Sequence, residues 1–109
     1  MLFAKINKKD IEDMLRVTKI RMRPSSYWSN SLLEIDDLFI QGTDKYLNSW
    51  SGYYDKEKIH DYLKDNPRSI KVEGYDTYIL PKTSLYGEKY VASEANNTQV
   101  DNLLRLPRE

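Results

Sequence analysis

Hydrophobic and polar positions in this chain follow two periods, and the switches between them set out the predicted elements. After Asn7, Ile11, Met14 and Leu15 fall at i, i+3 and i+4, with Asp10, Glu12 and Asp13 in the first turns. This predicts a short amphipathic helix over residues 8–16. The period then drops to two: Thr18, Ile20 and Met22 share one face and Val17, Lys19, Arg21 and Arg23 the other, as in a half-buried strand that Pro24 ends. Residues 25–31 are polar except for Tyr27 and Trp28 and predict a loop. The most apolar run, 32–41, predicts a central strand, with a bulge or register change where Asp36 and Asp37 break the alternation. A turn at Gly42-Thr43-Asp44 then leads into a strand over 46–50, which Ser51-Gly52 should end.

The clearest element is the helix over 56–64. Asp55 is placed to cap it, Ile59, Tyr62 and Leu63 form its apolar stripe, and Asn66-Pro67 stops it. His60 falls on its polar face. Ile70 and Val72 alternate with polar neighbours in the next strand, and Gly74 either turns the chain or kinks a strand running through Tyr78 to Pro81. Residues 83–87 then form a hairpin loop into a strand over 88–93. The end of the chain is a polar turn at Asn96-Asn97-Thr98 followed by Leu103, Leu104 and Leu106, which must be covered. Such a tail either clasps its own sheet or docks on a partner subunit.

The pattern predicts an α+β fold: a small, mostly antiparallel sheet of four to five strands, one main helix on one face and a short N-terminal helix. Residues 1–109 form a single domain, with 1–16 as a helical extension and 17–107 as the core and docking tail. Seventeen basic residues balance seventeen acidic ones, so nucleic acid is not an expected partner. The chain has no cysteine, which excludes disulfides, thiolate catalysis and cysteine-ligated metals. No segment approaches the roughly 20 apolar residues that span a bilayer, and the N-terminus has no signal-like apolar run. A cytoplasmic protein without a membrane partner is expected.

Candidate chemistry is sparse. The single histidine cannot build a catalytic triad or a histidine metal cluster alone. Asp36 and Asp37, with Glu34, are the best carboxylates for a metal-dependent hydrolase, but no nucleophile or oxyanion donor accompanies them. No glycine pattern resembles a phosphate cradle, and no cofactor is expected. A more promising combination is basic and aromatic: Arg21, Arg23 and Arg105, with Trp28, Trp50 and Asn97, would suit an anionic ligand if the fold brought them together. Arg68 and Arg108 could join them. Tyr27, Trp28, Leu103, Leu104 and Leu106 are the candidates for contact with a protein partner or a second copy in a homodimer.

Thr18-Lys-Ile-Arg-Met22, with Lys89-Tyr-Val-Ala-Ser93 and the closing Asp101-Asn-Leu-Leu-Arg-Leu-Pro107, resembles the DUF3892-like family of small bacterial and phage proteins of unknown function. The resemblance spans roughly residues 17–107. It implies the fold above and transfers no catalytic residue. A phage origin would favour an inhibitor of a host protein, or a sponge that sequesters an anionic nucleotide signal. Non-catalytic binding is therefore the first expectation, a small-ligand binder the second and an enzyme the last.

Overall fold

A computed structural model describes residues 15–94 and 100–109. Its order is β1 (Leu15–Met22), a 3₁₀ turn (Leu32–Glu34), β2 (Ile35–Thr43), β3 (Ser49–Asp55), α1 (Lys56–Asp65), β4 (Ile70–Val72), β5 (Ile79–Thr83), β6 (Lys89–Ser93) and a 3₁₀ turn (Asn102–Arg105). The fold is α+β, but it divides into a mixed four-stranded sheet, β3-β2-β1-β4, and a separate hairpin, β5-β6. β4 runs parallel to β1 because α1 carries the chain from one edge of the sheet to the other, as a parallel neighbour requires. Gly74, at φ 82, turns the chain between β4 and the hairpin, which stay joined by the bridge Lys71↔Tyr78.

Most of the predicted N-terminal helix lies outside the described residues. Its last two positions, Leu15 and Arg16, instead open β1. Within β1 the pairing jumps from Val17↔Ile40 to Lys19↔Phe39, so Thr18 is an unpaired bulge residue. The bulge shifts the alternation by one position, burying Val17 rather than Thr18 and leaving Ile20 and Met22 inside. Asp36 is the matching extra residue on β2, where a bulge was expected. β3 begins later than the predicted strand over 46–50: residues 44–48 form the turn, and Ser51-Gly52 sits mid-strand. Asp44 closes the hairpin and Leu47 takes the left-handed position, φ 67, usually held by glycine.

Asp55 caps α1, accepting from the Lys58 amide at 2.8 Å. Ile59 and Leu63 enter the core between the sheet and the hairpin, joining Val17, Leu38, Ile40 and Ile79. Because α1 is covered on two sides, His60 is buried rather than surface-exposed, at 4%. Its Nδ1 lies 3.1 Å from Asp61 Oδ1, and Lys89 of β6 donates to the same carboxylate oxygen at 2.8 Å. Among the described residues, no helix is long and apolar enough to cross a membrane.

Candidate functional site

The C-terminal tail is an intramolecular clasp. Asp101 starts it, accepting from the Leu103 amide at 2.9 Å and from the Ser93 amide at 3.0 Å, which ties the 3₁₀ turn to β6. Leu103, Leu104 and Leu106 are core residues of this chain and do not form an exposed docking strip. The chain then lies parallel to β1 beyond the end of β4. The Ile20 amide donates to the Pro107 carbonyl at 2.9 Å, and the Glu109 amide to the Ile20 carbonyl at 3.0 Å. Nine residues thus bury three leucines and cover backbone that β4 is too short to reach.

This clasp fixes the loop after β1. The Arg108 guanidinium donates to the carbonyls of Tyr27 at 2.7 Å, Ser29 at 2.8 Å and Leu104 at 2.9 Å. In return the Tyr27 hydroxyl donates to the Arg108 carbonyl at 3.1 Å. Tyr27 packs edge-on against Trp28, with ring centroids 4.7 Å apart, and Trp28 remains 85% exposed. A loop held from both sides therefore presents a large aromatic to solvent. These charge-assisted bonds to carbonyls restrict the loop.

The predicted arginine constellation is dispersed. Arg21 stacks on the Tyr53 ring at 3.8 Å and lies 3.6 Å from Asp37, on the solvent face of the sheet. Arg23 instead faces Asp36 at 3.2 Å, Glu34 at 3.8 Å and Glu88. Arg105 is exposed on the 3₁₀ turn of the tail. Trp50 packs against Tyr54 and Tyr62 at the edge of the core and donates its Nε1–H to Asp44 at 3.0 Å. Asn97 lies outside the described residues. Neither an open depression of about 390 Å³ beside Arg16 and Gln41 nor one of about 220 Å³ beside Leu32 and Leu104 is lined by Arg21, Arg23 or Arg105.

Asp36 and Asp37 point to different arginines rather than to a common cation site. Among the described residues, no group of three or more acidic, histidine or cysteine residues is placed to hold a metal. Sequence reasoning missed a charged network in which Lys56, 2% exposed, donates to the Leu33 carbonyl at 2.8 Å and also to Glu88. Arg23 shares that carboxylate. The Lys56 hydrogen bond, followed by the two positive charges, holds the Glu88 carboxyl below its ordinary range. A lysine in the first turn of a helix gives no sequence signal of such burial.

On the open face, the Glu109 side chain joins Lys19 at 2.7 Å and Tyr53 Oη at 2.6 Å. Burial, reinforced by the bond to Glu109, pushes the Tyr53 phenol up to about 12. Phe39 meets Tyr53 edge-on at 5.2 Å, and Lys19 lies over the Phe39 ring at 4.7 Å. These contacts are all made within the chain.

A family model described as protein of unknown function (DUF3892) matches residues 39–107. The chain belongs to this family. The DUF3892 match begins inside β2 and includes the C-terminal motif, but it leaves out β1 and the Tyr27-Trp28 loop that the tail clamps. No match was found among curated proteins or among solved structures. Membership therefore brings no activity or residue role to this chain.

Proposed function

We propose that this DUF3892 protein is a non-catalytic protein-interaction module, acting in the cytoplasm, whose anchor is Trp28. The single observation that carries the reading is the Arg108 clamp, which holds the Tyr27-Trp28 loop in place while leaving the indole in solvent. Tryptophan is a favoured anchor in protein interfaces because one rigid side chain fills a large apolar pocket. An inhibitor that plugs a pocket on another protein is one form such a module takes. The anionic-nucleotide reading ranks second, because Arg21 and Arg23 already face carboxylates and, among the described residues, share none of them.

The test compares immobilised wild-type protein with Trp28→Ala for capture of a partner from host lysate. Nothing in the core rests on the indole, so the variant should melt within about 0.5 kcal/mol of wild type. Capture should weaken by on the order of thirtyfold or more, the effect of removing an interface hot spot. Equal capture of the same protein by both would refute the role of Trp28.

A further inference from the structure

The strand edges of this fold are not alike. β5 carries Pro81 and Lys82, β6 carries Lys89, and β4 is only three residues long and contains Lys71. Proline, lysine and shortness are the usual means of keeping an edge from pairing with another chain. β3 has none of them. It runs seven residues, Ser49–Asp55, in unbroken register against β2, with neither proline, lysine nor bulge. Among the described residues, no strand lies on its outer side.

The phase of the ladder shows what that edge offers. The Asp44 amide donates to the Asn48 carbonyl at 3.0 Å, closing the hairpin. Bonded and non-bonded pairs alternate beyond it, so the backbone groups of Ser49, Ser51, Tyr53 and Asp55 turn outward. Trp50 and Tyr54 point to the core side, where with Tyr62 they form an aromatic cluster only half covered by this chain.

We propose that β3 pairs antiparallel with β3 of a second copy about a two-fold axis at Gly52, making one sheet across both chains. This register sets Ser51 against Tyr53 of the second copy and Ser49 against Asp55, so every outward-facing backbone group meets its counterpart. On the core side it sets Trp50 against Tyr54 twice, closing both aromatic clusters with each other. On the axis Gly52 faces Gly52 in a non-hydrogen-bonded pair, where opposed residues approach most closely and like charges would repel most strongly. The pairing also brings the exposed Tyr46 and Leu47, 62% and 75% exposed, alongside the first turn of α1 in the second copy. A strand of unrelated sequence would not be matched on both faces in this way. The surface is separate from Trp28, and the dimer stands or falls independently of that residue's role.

Gly52 gives a clean test. A Cβ there meets nothing within 4 Å. Gly52→Lys and Gly52→Asp are thus tolerated in one chain but set like charges together on the axis. By sedimentation velocity at micromolar concentration, wild type should have the mass of a dimer and each variant that of a monomer, a weakening on the order of a hundredfold or more. Mixing the two variants should restore a dimer containing one of each. Ser51→Pro, which removes an outward-facing amide without touching the β2 ladder, should also give a monomer, and Trp28→Ala should remain a dimer. A monomeric wild type, or a Gly52→Lys protein that stays dimeric, would overturn the proposal, and so would failure of the folded variants to pair when mixed.

Discussion

Replacing Leu103 with alanine should destabilise the protein by about 2–5 kcal/mol, the cost of a cavity at a core leucine. Leu103 is fully buried, and it sits in the one segment that joins the tail to the core before the chain crosses to β1. A small domain has only about 5–15 kcal/mol of stability in all, so the loss should be plain as a lowered urea midpoint. The effect should also reach the Trp28 loop. Arg108 is positioned by the Leu104 carbonyl at 2.9 Å and by the pairing of Pro107 and Glu109 with Ile20, and all of these depend on a seated tail. An unchanged midpoint in Leu103→Ala would show that the tail is not part of the core.

Asp44→Ala should cost about 2–3 kcal/mol, because one buried carboxylate is the common acceptor for three donors. Its oxygens receive the Tyr46 amide at 2.8 Å, the Asn48 amide at 2.9 Å and the Trp50 indole at 3.0 Å, fixing the turn that sets the register of β3. Water can reach the two amides in the variant more easily than the packed indole. Burial pushes the Asp44 carboxyl up, but the bonds from Trp50, Asn48 and Tyr46 together outweigh it and leave the group below the ordinary aspartate value. The folded state therefore takes up this proton less readily than the unfolded state. Its contribution is fully present above the unfolded aspartate value and is lost as pH falls through the folded one. Asp44→Asn keeps an acceptor without the charge, so the gap in urea midpoint between it and wild type should narrow on acidification. A gap that stays constant with pH would rule out the charge of Asp44 as its source. Glu88, Asp61 and Glu109 are shifted in the same direction, so wild type should lose further stability in acid through them.

Local signals predicted what local physics controls. The Asp55 cap, the Ile59 and Leu63 stripe, the β5-β6 hairpin and the disruption at Asp36 each depend on residues within a turn or two of one another. The start of β1 departs from the predicted phase because nothing in Val17-Thr18-Lys19 marks a bulge, and one extra residue reverses the face of the positions before it while Ile20 and Met22 keep theirs. The start of β3 is hidden in the sequence because Leu47 holds a left-handed position that glycine would signal. Burial of His60 and Lys56 follows from α1 being covered by both the sheet and the hairpin, a fact of tertiary arrangement. The candidate site divides in the same way. Tyr27 and Trp28 stood out as adjacent aromatics in a polar loop, whereas the Arg108 clamp joins positions 81 apart and has no local trace. The arginines are dispersed for a related reason: Arg21 pairs with Asp37, Arg23 reaches Glu88 from 65 positions away, and Arg108 is spent on backbone carbonyls.

Through Arg108 the tail holds the Trp28 loop in one geometry. Backbone ¹⁵N relaxation of Tyr27, Trp28 and Ser29 measures this directly. In wild type the three amides should have order parameters near the rigid value of about 0.85, falling below about 0.6 in Arg108→Ala while β1 and β2 stay rigid. Low order parameters in wild type, or equal values in the two proteins, would show that Arg108 does not fix the loop.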